Sequence, residues 1–158
     1  MFNYQGGLQS YSWKERMRKI LAVLLGAIVG SVTLLIVGVI TNAIQPTPPE
    51  LMDPATPEAV ARRVAAAPLS TWLSTIFGLA LGAFLGGGIG AQVAKEKIVW
   101  VTSAIGLALS LWAFYTFYIV FPAVLWAPIG MLISALLFSY LGGVVVIRSQ
   151  QKKSALTK

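Results

Sequence analysis

Four long runs of apolar residues, separated by shorter polar segments, dominate the pattern of this chain. Each run holds roughly 20 residues or more, and a helix of that length crosses the hydrocarbon layer of a bilayer, which is about 30 Å thick. The pattern predicts an all-α fold: an integral membrane four-helix bundle built from two hairpins. In a single membrane domain covering residues 1–158, the helices are expected at about residues 12–40, 71–94, 98–118 and 127–147.

The longest polar segment, residues 41–70, contains six prolines. Proline has no amide hydrogen and breaks a helix, so this segment is predicted to be a loop outside the membrane. Within it, Thr56, Pro57 and Glu58 have the order of an N-cap, a first-turn proline and an acidic first turn. We therefore expect a short interfacial helix at about residues 57–67, lying on the outer membrane surface.

The positions of the basic residues predict how the chain is oriented. The chain is 57% hydrophobic and 11% charged, and its twelve Lys and Arg residues exceed its five Asp and Glu residues to give a net charge of +7. Ten of the twelve flank the apolar runs on one side of the membrane: Lys14, Arg16, Arg18, Lys19, Lys95, Lys97, Arg148, Lys152, Lys153 and Lys158. Basic residues collect on the cytoplasmic side, so we expect both termini there, in a multi-pass protein of the bacterial cytoplasmic (inner) membrane. Charges placed between spans point to the lipid bilayer as partner and not to nucleic acid.

The chain lacks most of the residues that carry chemistry. It has no cysteine and no histidine, and its five carboxylates are all expected outside the hydrocarbon region of the membrane. Proton- and cation-coupled transporters generally need an ionisable group at membrane depth, and no catalytic set or metal cluster can be assembled. We predict a non-enzyme with no catalytic residue, no metal ligand and no cofactor, and no cofactor-binding residue can be assigned.

Glycines at four-residue spacing form a smooth ridge on the second predicted helix and recur on the first. The residues predicted to pack helices are Gly26, Gly30, Gly78, Gly82, Gly86 and Gly90. Small residues let helix backbones approach closely in a membrane, where no hydrophobic force drives helices together. Two interpretations stay open: packing within the bundle, or packing against another subunit or a second copy.

Two further patterns carry weaker hypotheses. The outer half of the third helix is rich in aromatic residues, among them Trp112, Tyr115 and Tyr118. They could form a slot for a lipid or ligand, or they could anchor the helix at the membrane interface. The segment 84–87, Phe-Leu-Gly-Gly, resembles the segment 140–143, Tyr-Leu-Gly-Gly, through an internal duplication or through chance in a sequence rich in Leu and Gly.

Short proline-rich and glycine-rich segments carry a resemblance to a known family. They are residues 46–49, 53–59, 68–70 and 82–87. Together they resemble a family of small uncharacterised bacterial four-helix membrane proteins with a proline-rich outer loop after the first helix. The resemblance spans roughly residues 17–147 and implies the same four crossings without an established activity. Family members often carry acidic and histidine residues late in the first helix, where this chain has Thr41, Asn42 and Gln45.

The sequence favours a non-enzymatic integral membrane protein that acts by helix packing. Its partners would be other membrane protein subunits, with this chain as an accessory subunit of a complex, or further copies of itself in a homo-oligomer. The alternative is a small transporter or channel for an uncharged or lipid-like substrate, using the aromatic half of the third helix.

Overall fold

Four helices make up nearly all of the structure, a computed structural model that describes residues 5–46, 66, 68–94, 98–120 and 126–156. The helices are α1 (Gln5–Ile44), α2 (Leu69–Ala94), α3 (Ile98–Val120) and α4 (Trp126–Leu156). Each contains a stretch long and apolar enough to cross a membrane: Trp13–Ile44, Leu69–Ala94, Ile98–Tyr115 and Pro128–Lys152. The predicted all-α class is confirmed, and the four candidate spans indicate a multi-pass membrane protein.

All four helices extend beyond the predicted positions, α2 and α3 by two residues and α1 and α4 by more. The ends of the predicted outer loop 41–70 are helical, since α1 continues to Ile44 and α2 begins at Leu69. α1 begins at Gln5 instead of residue 12, and α4 continues to Leu156 instead of ending near residue 147. Extending a helix that already exists needs no new nucleus, and the Gln, Lys and Ala residues after Ile147 are good helix formers. Apart from residue 66, the predicted interfacial helix lies outside the described residues.

The second helix lies at the centre of the arrangement. α1 packs on α2 and α3, and α4 packs on the same two helices. Gly30 faces Gly82 while Gly26 faces Gly86, so α1 and α2 run antiparallel. α4 runs parallel to α2, since Trp126 meets Trp72 and Gly142 meets Phe84. The start of α1 and the end of α4 therefore reach the same end of the bundle, which we call the basic end because of the residues that lie there: Lys14, Arg16, Arg18, Lys19, Arg148 and Lys152.

Apolar side chains of α2, α3 and α4 fill the interior. Leu79, Val101, Ile105 and Met131 are essentially inaccessible, and alanines of all four helices pack among them. Towards the end opposite the basic end, Trp72 of α2 meets Trp126 of α4 edge to face, with ring centroids 6.3 Å apart. Large apolar side chains also cover the outside of every helix, as expected of a protein surrounded by lipid.

Candidate functional site: the glycine contacts of α2

Two glycine pairs bring the backbones of α1 and α2 into direct contact. A methyl carbon added at Gly82 would lie 2.5 Å from the carbonyl oxygen of Gly30, and one added at Gly30 would lie 3.1 Å from that of Gly82. Gly86 and Gly26 face each other in the same way, since a methyl carbon at Gly26 would lie 2.7 Å from the oxygen of Gly86. Side-chain carbons do not approach backbone oxygens this closely, so the spacing of these helices requires glycine.

The two outer glycines of the same row meet side chains more than backbone. A methyl carbon at Gly78 would lie 2.8 Å from Cγ1 of Val37, and one at Gly90 would collide with Cδ1 of Ile105 and lie 3.2 Å from the oxygen of Ala22. Side chains can rotate away where a backbone cannot. The closest and least adjustable part of the row is therefore its centre, at Gly82 and Gly86.

A second set of close contacts joins α2 to α4. A methyl carbon at Gly87 would collide with the carbonyl oxygen of Ser139, and one at Gly142 would collide with that of Phe84. Gly87 and Gly142 were not among the residues predicted to pack helices. Both belong to the repeated Phe/Tyr-Leu-Gly-Gly segments, which is the sequence signal for them, but neither lies in the row that spacing by four defines.

The repeated segments do not occupy equivalent positions. Gly86 faces α1, whereas Gly142, the corresponding residue of the second segment, faces α2. Gly87 faces α4, whereas Gly143 faces α3, where a methyl carbon would lie 2.5 Å from Cγ2 of Thr102. An internal duplication would relate the hairpins by a rotation that exchanges α1 with α3 and α2 with α4. Gly142 would then face α3 and Gly143 would face α2, which is the reverse of what is observed. The packing therefore gives the duplication hypothesis no support.

Hydroxyl groups add hydrogen bonds between α3 and α4. The Ser139 Oγ, which is fully buried, donates to the carbonyl oxygen of Thr102 at 2.7 Å. The Ser110 Oγ donates to the oxygen of Gly106 in its own helix at 2.7 Å and lies 3.4 Å from that of Leu132 in α4. These hydroxyls are occupied by backbone acceptors, and such bonds between membrane helices contribute modestly to stability.

The aromatic residues predicted to form a slot lie partly on the outside of the bundle. Trp112 is 50% exposed and Tyr115 is 63% exposed, while the side chain of Tyr118 lies outside the described part of the structure. The face of α3 that points inward is formed instead by Ile105 and Leu109. The structure does not test whether a ligand binds at the aromatic residues, so the slot stays a prediction.

Charged groups among the described residues gather near the helix ends. Nζ of Lys19 pairs with the carboxylate of Glu15, one turn earlier on α1. The described residues contain no group of three or more histidine, cysteine, aspartate or glutamate side chains that could hold a metal ion.

Comparison with known proteins adds no relative. No family model, curated protein or solved structure matches this chain. The resemblance to small bacterial four-helix membrane proteins stays a prediction.

Proposed function

We propose that this chain is a non-enzymatic protein of the bacterial cytoplasmic membrane that acts by helix packing, as an accessory subunit of a membrane complex or as a homo-oligomer. The observation that carries the proposal is the outer surface of α1. In its most apolar stretch 17% of the residues are buried within the chain, against 50% for α2 and 39% for both α3 and α4. A partner helix would find more uncovered apolar surface on α1 than on any of the other three.

Two small residues support one side of α1 as the proposed surface for a partner helix. Gly26 and Gly30 already contact α2, so the predicted glycine row is used inside the chain. Ser31 and Gly38 are exposed and lie two helical turns apart, which puts them on one side of α1. A methyl group at Gly38 would have no atom within 4 Å, so this side has room for a second helix at close range.

The distribution of charge supports the proposed orientation and location. The basic end brings together residues from the start of α1 and from the end of α4, including Arg16 and Arg148. Basic residues are retained on the cytoplasmic side of bacterial membrane proteins. The orientation that follows has both termini in the cytoplasm, and the link between α1 and α2 faces outward.

The hydrogen bonds of the buried serine hydroxyls support the non-enzymatic part of the proposal. The buried hydroxyls of Ser110, Ser134 and Ser139 all donate to backbone carbonyl oxygens. A serine nucleophile needs a base within hydrogen-bond reach, and the partner of each of these three is a carbonyl. Their arrangement favours a packing role.

The proposal is tested by the size of the particle extracted from native membranes. The protein is taken up with its surrounding lipid into polymer-bounded nanodiscs, and its complexes are weighed by native mass spectrometry. We expect a mass above the 16.9 kDa of one chain, either as a multiple of it or with a second protein. Gly38→Leu should shift the distribution to the single chain, because leucine would hold the partner helix away.

Ala108→Leu is the matched control for that experiment. Ala108 is exposed on α3, so the substitution adds the same side chain to a different lipid-facing surface. It should leave the particle mass unchanged. The proposal would be contradicted if the wild-type protein, extracted from the membrane in which it is expressed, had the mass of a single chain.

The alternative of a small transporter or channel has weaker support. A route through the bundle would pass the space between α2, α3 and α4, which Ile105 and Met131 fill without measurable exposure. A route along the outside would use Trp112 and Tyr115. Flux through reconstituted vesicles that Trp112→Ala and Tyr115→Ala abolish would favour this alternative over helix packing.

A further inference from the structure

The stretch of α1 that precedes its apolar run carries an excess of positive charge. Residues 14–19 hold four basic side chains and one acidic side chain. Glu15 is engaged by the ammonium group of Lys19. Lys14, Arg16 and Arg18 make no ion pair with any residue in the described part of the chain.

Arg18 differs from its basic neighbours in where it lies. It precedes Ala22 by four residues and Gly26 by eight, so it continues the row of α1 that packs on α2. Ala22 lies opposite Gly90, and one turn further the antiparallel register brings Arg18 level with Ala94, the last residue of α2. Lys14 and Arg16 are exposed, whereas Arg18 is partly buried against the bundle.

The guanidinium group of Arg18 is incompletely satisfied by the protein. Its Nε is buried and has no hydrogen-bond acceptor among the described residues. A buried donor without an acceptor is unfavourable, and the long stem of an arginine lets its head reach the headgroup layer. Trp13 and Trp100, each 65% exposed near the same end of the bundle, are the kind of side chains that lie at that depth.

We propose that Arg18 binds the phosphate of an anionic phospholipid at the basic end of α1. A planar guanidinium presents paired N–H donors that match two phosphate oxygens, and a small adjustment of the side chain would bring Nε into the same contact. The positive charge of Lys14 and Arg16 beside it favours a lipid that carries net negative charge over a zwitterionic one. The proposal does not depend on whether the protein assembles with other chains.

The test is competition between two lipids with identical acyl chains. The purified protein is given equal amounts of phosphatidylglycerol and phosphatidylcholine in detergent, and retained lipid is counted by native mass spectrometry. We expect the wild type to retain phosphatidylglycerol with about fivefold preference, and Arg18→Gln to reduce that preference to about twofold, the remainder coming from Lys14 and Arg16. Arg148→Gln removes the same charge from the exposed end of α4 and should leave the preference unchanged.

Two further measurements test whether the paired donors of arginine are needed and whether the bound phosphate belongs to a lipid. Arg18→Lys keeps the charge without the paired donors and should lose at least half of the preference. Thermal unfolding of Arg18→Gln shows whether that variant folds, and Arg18→Lys replaces it in the test if it does not. Millimolar inorganic phosphate should not displace the lipid. The proposal is overturned if Arg18→Gln and Arg148→Gln behave alike, if Arg18→Lys retains the full preference, or if free phosphate competes.

Discussion

The contact of α2 with α1 differs from its contact with α4 in the groups that meet. Towards α1, glycine faces glycine at the centre of the contact, with backbone against backbone, and Ser70 of α2 donates to the side-chain oxygen of Gln45, the residue after α1, at 3.1 Å. Towards α4, Gly87 lies against the backbone of Ser139 and Gly142 against that of Phe84 and Gly88, and α4 is further tied to α3 through the Ser139 hydroxyl. The first interface depends on the absence of side chains, while the second adds directional bonds nearby.

This difference separates two sources of stability in a membrane. Water is absent from the hydrocarbon layer, so burying apolar surface between helices gains little over lipid contact. At the glycine pairs, contact between α1 and α2 comes from van der Waals attraction at close range, which falls off steeply when the helices separate. The α4 side should tolerate slightly poorer contact, because a hydrogen bond from Ser139 also holds α4 to α3.

The largest expected effect is at the centre of the α1 contact. Gly86→Leu places a large side chain against the carbonyl oxygen of Gly26, so it should lower the free energy of unfolding by about 3 kcal/mol. Gly82→Leu should act similarly through Gly30. The measurement is thermal unfolding of the detergent-solubilised protein, followed by tryptophan fluorescence.

Ala108→Leu is again the control, since it adds the same bulk to an exposed position of α3. Its midpoint should stay within the error of the wild type. Equal midpoints for Gly86→Leu and Ala108→Leu would mean that α1 does not pack on α2 in the solubilised protein.

A smaller loss is expected from alanine on the α4 side. Gly87→Ala introduces only one carbon, but that carbon would meet the backbone oxygen of Ser139, which cannot rotate away. Alanine favours the helix over glycine by about 1 kcal/mol, so the measured loss should be about 1 kcal/mol after that gain. A variant more stable than the wild type would show that α2 and α4 are further apart than described.

Much of the fold was open to prediction from the sequence because membrane length and apolarity leave few alternatives. Four helices of membrane length follow from the four apolar runs. The helix ends were harder to predict, because α1 and α4 continue through polar residues whose helical state depends on the helix they extend. Spacing by four identified Gly82 and Gly86 as one row, but it could not say that Gly26 and Gly30 lie opposite them, since any register of two such rows fits the spacing equally well.

Removing the hydrogen bond between α3 and α4 should lower the stability by somewhat less than Gly87→Ala does. Ser139→Ala removes the donor to the Thr102 carbonyl and should lower the free energy of unfolding by about 0.6 kcal/mol, the typical value for such bonds between membrane helices. Ser134→Ala is the control, because the Ser134 hydroxyl donates to Met131 in its own helix. Equal losses for both would show that the bond between helices contributes nothing beyond a local one.

The smallest effect should have the opposite sign. Gly38 has no atom within 4 Å of an added methyl carbon, so Gly38→Ala meets no obstacle and gains helix propensity. We expect the monomer in detergent to become more stable by about 0.5 kcal/mol. The same substitution at Gly87 should be destabilising, and the contrast in sign separates what glycine does as a contact from what it does as a poor helix former. If alanine raised the unfolding midpoint at both Gly38 and Gly87, helix propensity alone would account for both, and the close contact between α2 and α4 would have no energetic consequence.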